Sequence, residues 1–303
     1  MKFTNKHGLS DFIYSVLTND KYKKVGDYSV TGLLKPVRQV ILEERHDDEI
    51  SMDISELAYS ALGTGVHSVF EIDTTGDEDR WITEQRFVST IAGKKVSGQI
   101  DLFDKKEKKI QDYKVCSVWK YMFGDVADWT KQINAYAYMI NDFLKIKVES
   151  ASVIAIFRDW KFDEYERDLS NNPFSPTYPE CPIKEIEIKI YPPDEVYNSI
   201  EEKVKKFESA KLLDDDSLPL CTPDERWARG EAWAVKKKGA KRAMNGGVCK
   251  TEADAHTFAK SCGVPVDIEH RIAKSIRCQR YCNAAPFCNQ WKEIQTTTGE
   301  LVG

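Results

Sequence analysis

At 303 residues the chain is long enough to bury a substantial core, in one large domain or two. With 41% apolar and 31% charged residues it does not have the composition of a disordered chain, and no apolar run approaches the roughly 20 residues of a membrane span. The formal net charge of −5 excludes a global basic field, so any nucleic-acid contact has to come from local patches.

The opening Met1-Lys-Phe-Thr-Asn-Lys-His-Gly8 lacks the apolar stretch of a secretory signal, which predicts a soluble, cytoplasmic protein. Asp11 to Leu17 reads as a short helix. Ser29 offers a cap to a helical pattern that runs to about Asp48, with a break expected at Pro36. From Asp53 to about Ile72 a second helical pattern follows, whose stripe Ala58, Ala61, Leu62, Gly65, Val66, Val69 and Ile72 is expected to be its buried face. His67 projects from the other side, among the small residues Ser60, Gly63 and Thr64.

Strand patterns occupy Arg80 to Ile91, Lys95 to Phe103 and Lys109 to Cys116, with turns at Ala92-Gly93-Lys94 and Asp104 to Lys108. Trp119 to Asp125 reads as a loop. Asp128 to Leu144 is the clearest helix, with Trp129, Ile133, Ala137 and Ile140 on its buried stripe. Gln132 and Tyr136 share that face, where an unpartnered amide would cost roughly 1–3 kcal/mol, so both are expected to serve something beneath the helix. Strands at Ser150 to Arg158 and Ile183 to Tyr191 and a helix at Pro193 to Lys211 follow. Leu212-Leu-Asp-Asp-Asp-Ser-Leu-Pro219 then marks a boundary. The expected division is a helical segment over 1–50, an α/β core over 51–211 and a cysteine-rich region over 212–303, ending in a frayed tail from Thr296.

The chemistry concentrates in the hairpin from Gly98 to Lys114. Asp112 and Lys114 are two residues apart on one strand and share a face, and Asp101 on the partner strand can approach them. Two carboxylates and a lysine on one sheet face suit a divalent cation and an activated water, although a solvated hairpin would carry the same residues.

The cysteines stand at 116, 181, 221, 249, 262, 278, 282 and 288, the last three within eleven residues. In a cytoplasmic chain such crowding points to a metal or a cluster rather than disulfides. Cys116 and Cys181 read as ordinary buried thiols, with Cys249 and Cys262 as reserve ligands. The run Lys236-Lys-Lys-Gly-Ala-Lys-Arg242 offers Lys236, Lys237, Lys238, Lys241 and Arg242 for phosphate binding without sequence reading; the same run could be a solvated hairpin.

In order along the chain, Gly63-Thr-Gly-Val-His67, Gly98-Gln-Ile-Asp101, Asp112-Tyr-Lys114 and Gln132-Ile-Asn-Ala-Tyr136 resemble the PD-(D/E)XK nuclease superfamily, in particular RecB-type domains and phage-encoded relatives. The segments Ser29-Val-Thr-Gly-Leu-Leu-Lys-Pro-Val-Arg38 and Leu220-Cys-Thr-Pro-Asp-Glu-Arg-Trp227 are also similar to phage members. The resemblance spans about residues 28–145 and 218–291.

It implies a restriction-endonuclease-like α/β fold, a mixed central sheet flanked by helices, with a helical N-terminal cap and a cysteine-rich C-terminal region. It also implies a Mg²⁺- or Mn²⁺-dependent deoxyribonuclease, an exonuclease by preference, in replication, recombination or DNA processing. His67, Asp101, Asp112 and the carbonyl of Tyr113 would then hold the metal, with Glu84 as the second upstream acid. Lys114 would activate water, and Gln132 and Tyr136 would position the DNA backbone or the lysine. Single- or double-stranded DNA would be the partner, with a helicase or a single-strand annealing protein as further candidates and no membrane. Cys221, Cys278, Cys282 and Cys288 would carry a [4Fe-4S] cluster, with Zn²⁺ as the alternative. Two features depart from the family pattern: no cysteine precedes Cys116, and the first spacing is three residues. A catalytically silent DNA-binding or recombination-assembly subunit with the same fold stays open beside the nuclease.

Overall fold

A computed structural model describes residues 1–19, 25–70 and 80–298. The chain divides into two compact units, residues 1–35 with 51–209 and residues 36–50 with 210–303.

In the first unit the elements run β1 (Lys2–Thr4), α1 (Asp11–Thr18), β2 (Tyr28–Ser29) and α2 (Val30–Leu33); α3 (Val37–Arg45) belongs to the second unit. The first unit resumes with β3 (Ser51–Asp53), α4 (Ala58–Phe70), β4 (Trp81–Thr83), β5 (Arg86–Ile91), β6 (Lys94–Gln99), β7 (Leu102–Asp104) and β8 (Lys109–Cys116). It ends with α5 (Val118–Met122), α6 (Ala127–Leu144), β9 (Ser150–Phe157), α7 (Phe162–Asn171), β10 (Ile183–Ile188) and α8 (Pro193–Ala210).

A five-stranded mixed sheet has the order β10-β9-β8-β7-β4, in which only β8 and β9 are parallel. A parallel pair needs a crossover, and α5 with α6 supplies it. A three-stranded sheet, β2-β6-β5, and the pair β1-β3 complete the unit, so the architecture is mixed α/β with several sheets and flanking helices. The α6 helix packs on β5, β6 and β8. Trp129, Ile133, Ala137 and Ile140 are buried as the stripe predicts, together with Phe87, Phe103, Ile110 and Val153 from the strands.

Four expectations are corrected. The strand expected from Arg80 to Ile91 is two strands, because Glu84 takes a left-handed φ of 48°. The next strand also breaks, at Ile100-Asp101, so that β6 pairs in the small sheet and β7 in the large one. The segment after Ser117 is a short helix, α5. The Ser117 hydroxyl accepts from the Trp119 N–H at 3.3 Å, and Asp159 accepts from the Val118 N–H at 2.7 Å, satisfying the first-turn donors. The stripe on α4 is not buried: no residue of that helix is, and Leu62 and Val69 are 45% and 65% exposed. Ile72 and residues 299–303 lie outside the described residues, while Thr296 to Thr298, expected to begin a frayed tail, end a helix that starts at Asn289. The break at Pro36 is present and separates α2 from α3.

The second unit contains α3, β11 (Ala228–Arg229), β12 (Ala232–Lys237), β13 (Ala243–Cys249), α9 (Glu252–Ser261), β14 (Val266–Arg271), β15 (Lys274–Ser275), α10 (Ile276–Arg280) and α11 (Asn289–Thr298). Strands β13-β12-β14 form an antiparallel sheet covered by α9, and β11 pairs with β15. Residues 36–50 join this unit through buried Val37, Arg38, Ile41 and Leu42 and through bonds from Arg38, Arg45 and His46 to the 213–217 turn. No described helix is long and apolar enough to cross a membrane.

Candidate active site

Alternation along β8 puts Asp112 and Lys114 on one face, as their spacing predicts. Asp112 is 1% exposed, and neither carboxylate oxygen accepts a hydrogen bond. Lys114 Nζ stands 2.6 Å from Oδ2, an ion pair by distance whose angle falls outside that of a hydrogen bond. Burial pushes the Asp112 carboxyl up to about 6, against the pull of the Lys114 charge and with added repulsion from Asp101. A buried carboxylate with one oxygen unpartnered and the other met only by the Lys114 ammonium is costly in an ordinary core and suited to a cation.

The two strand breaks bring the other acids together. At the bends the Glu84 N–H donates to the Asp101 carbonyl at 3.1 Å, and the Ile100 N–H donates to the Gln85 carbonyl at 3.0 Å. Asp101, also buried, accepts from the Tyr113 N–H at 2.6 Å through Oδ2, which turns Oδ1 toward His67. His67 Nδ1 lies 3.4 Å from Asp101 Oδ1 and 3.4 Å from Glu84 Oε1. The remaining Glu84 oxygen accepts from Gln99 Nε2 at 2.7 Å, and the Gln99 oxygen accepts from Arg86 at 2.6 Å. One ligand atom each from His67, Glu84 and Asp101 lies within 4.8 Å of the others, so this triad could bind a metal ion. Asp101 and then Glu84 raise the His67 imidazole to about 10, and burial opposes them.

A scan against protein-family models and a search of curated proteins both find no match. Among solved structures, one titled crystal structure of SSO0001 is 18% identical, with a TM-score of 0.40, covering 64% of this chain and 81% of that one. A phage-related exonuclease from Haemophilus somnus 129PT is 11% identical, with a TM-score of 0.28, covering 64% of this chain and 74% of that one.

On α6, Tyr136 is buried and its hydroxyl accepts from Gln132 Nε2 at 2.8 Å. Burial raises the phenol, and the charges of Asp112 and Asp101 raise it further, which ties this side chain electrostatically to the β8 carboxylate. The ring packs against Gly98, where an added Cβ would meet Tyr136 carbons and the Met139 sulfur at 2.9 Å. Gly98 is therefore what lets α6 approach β6. Tyr113 enters the site through its N–H to Asp101, while its ring stacks on Phe70 of α4 at 4.5 Å.

Sequence reasoning missed the Arg86–Gln99–Glu84 relay. The only signal for it was the alternation that puts Arg86 and Gln99 opposite each other in the β5–β6 pair. It also missed Asn134, which is buried beside the expected stripe and bonds Lys189 and Tyr191 across α6.

The remaining predicted residues belong to the second unit. Lys236, in the last turn-side pair of β12 residues, forms an ion pair with Glu269, and Lys237, Lys238, Lys241 and Arg242 are exposed around the turn into β13. Cys221, Cys278, Cys282 and Cys288 line one small cavity, while Cys249 and Cys262 lie elsewhere in the unit. Among the described residues, no group of three thiols has its sulfurs all within 4.8 Å of one another. Burial pushes the Cys221 and Cys282 thiols up to about 12.

Proposed function

We propose that the protein is a divalent-metal-dependent deoxyribonuclease built on a PD-(D/E)XK-type core. The observation that carries this is the buried Asp112, its oxygens without hydrogen bonds, flanked by Lys114 and electrostatically coupled to Asp101 and His67. Three carboxylates with one imidazole are hard donors that suit Mg²⁺ or, with the imidazole, Mn²⁺. His67, Glu84, Asp101 and Asp112 would hold it, with the Tyr113 carbonyl as a further ligand implied by the resemblance. The metal would supply charge for the phosphate and a water of lowered pKa.

The chain's own residues supply the rest. His67 would hold a metal only as neutral imidazole, so binding would have to displace the proton that Asp101 and Glu84 favour on it. The Gln99 amide fixes one Glu84 oxygen and leaves the other facing His67, and the Tyr113 N–H does the same for Asp101. Lys114, drawn to Asp112, is placed to orient water or to meet charge developing on a phosphate oxygen. Gln132 and Tyr136 form a hydrogen-bonded pair suited to positioning the backbone or the Lys114 ammonium.

In the second unit the four cysteines around one cavity support a metal–thiolate centre. A single zinc with bonds near 2.3 Å draws its thiolates to roughly 3.8 Å of one another. The resemblance implies a [4Fe-4S] cluster there, with zinc on the same four thiolates as the alternative. The exposed lysines and Arg242 of the β12–β13 turn fit non-specific phosphate contact.

The test uses anaerobically purified protein with Mn²⁺ or Mg²⁺ on end-labelled linear duplex, single-stranded and circular DNA. Metal-dependent shortening of linear DNA with circular DNA intact identifies an exonuclease, and cutting of circles an endonuclease. Binding without cleavage under every condition refutes the proposal and leaves the silent subunit.

A further inference from the structure

Arg38 on α3 is one of the largest fully buried side chains, 1% exposed. Taking an ionised guanidinium out of water is strongly unfavourable unless an opposite charge faces it. Its partners here are all neutral. Nη1 donates to the Asp215 carbonyl at 3.0 Å and to the Asn289 amide oxygen at 2.9 Å, and Nη2 donates to the Asp216 carbonyl at 3.3 Å. Nε has no partner. Of the carboxylates on that turn, Asp215 is already held by Arg45 at 2.6 Å and His46 at 2.8 Å, and Asp214 accepts from the Ser217 N–H at 2.7 Å. Among the described residues no carboxylate pairs with Arg38.

What Arg38 does share is a cavity, with Cys221, Cys278, Cys282 and Cys288. Gln39 lines the same space and also carries a buried oxygen without a partner. Four thiolates would leave an iron–sulfur cluster net anionic, and the buried cation without a carboxylate partner lines the cavity that would hold it.

We propose that the Arg38 guanidinium is the buried counter-charge of an iron–sulfur cluster held by Cys221, Cys278, Cys282 and Cys288, and that it raises the reduction potential of that cluster. This rests on the cluster reading above and adds the residue that balances its charge. Arg38 is a positioning residue: it acts through the cluster and ligates nothing. A positive charge beside the cluster favours the reduced, more anionic state, so removing it makes reduction harder.

The experiment compares full-length, anaerobically purified wild type with Arg38→Met, Arg38→Lys and Asn289→Asp. It measures iron and acid-labile sulfide, the potential by redox titration, and the thermal midpoint. Asn289→Asp puts a carboxylate on Nη1 and neutralises the guanidinium without removing its stem. Wild type should carry iron and sulfide. Arg38→Met and Asn289→Asp should each lower the reduced-to-oxidised ratio at fixed potential about tenfold, equivalent to about 59 mV for one electron. Arg38→Lys should stay close to wild type in potential even where its midpoint falls. If Arg38 only clamps the 213–217 turn, Lys and Met lose midpoint alike and no variant moves the potential; that result overturns the assignment of Arg38 while leaving the cluster. Wild type devoid of iron and sulfide, or carrying zinc instead, overturns both.

Discussion

Replacing Asp112 by Asn should make the metal-free protein more stable while removing activity. Burial raises the Asp112 carboxyl from 3.8 to about 6, and the ionised form therefore costs the fold about 3 kcal/mol at pH 8. The sign follows from the direction of the shift. A carboxyl raised in the folded state destabilises above its folded pKa, and the cost fades as pH falls through about 6 toward 3.8. Asn has nearly the same shape and no charge, so it escapes this cost. Part of the gain is returned because Lys114, about a quarter exposed, loses its counter-ion. For a unit of this size each kcal/mol is about 2–4 °C, so the gain at pH 8 in chelator should fall between about 4 and 10 °C. The assay is thermal unfolding of both proteins in EDTA at pH 8 and pH 4.5, then with Mn²⁺ at pH 8. The gap should shrink at pH 4.5, and Mn²⁺ should stabilise wild type more than the variant. An Asn variant less stable than wild type at pH 8, or a gap that ignores pH, refutes the reasoning.

Other residues give independent checks. Gly98→Ala forces a Cβ against Tyr136 and Met139, and overpacking of that kind costs about 1–3 kcal/mol, read as a lowered midpoint in thermal unfolding. Glu49 and Asp215 raise the His46 imidazole, so its bonds stabilise fully below pH 6.5 and are lost as pH rises through the raised folded value. His46→Gln should therefore lose more stability at pH 5.5 than at pH 9 in denaturant titrations; a loss independent of pH contradicts this. Replacing Lys237, Lys238, Lys241 and Arg242 together by Ala should reduce the slope of log K against log salt for duplex DNA by about 3–4, the value expected if all four release counterions. An unchanged slope assigns the turn to solvent.

The parts of this molecule that were legible in the sequence are those governed by local periodicity. The α6 helix announced itself because Trp129, Ile133, Ala137 and Ile140 recur at the helical period and are all buried. The β8 strand placed Asp112 and Lys114 on one face for the same kind of reason. Glu84 shows the limit: a non-glycine residue at φ 48° has no signature in sequence, yet it makes the bend that sets its carboxylate beside His67 and Asp101. On α4 the apolar period was present but its residues are exposed, since periodicity specifies a face and not what covers it. Arg38 was unreadable in principle as a buried cation, because its partners lie 177 to 251 positions away.

The most direct measurement of the central claim is cleavage of end-labelled DNA in Mn²⁺ by wild type and by Lys114→Met. That substitution keeps the length of the side chain but removes the ammonium beside Asp112. The account predicts Mn²⁺-dependent cleavage by wild type, abolished by EDTA, and a rate at least about 100-fold lower in Lys114→Met with DNA binding retained. Equal cleavage by the two proteins, or none by wild type with either metal, would contradict it.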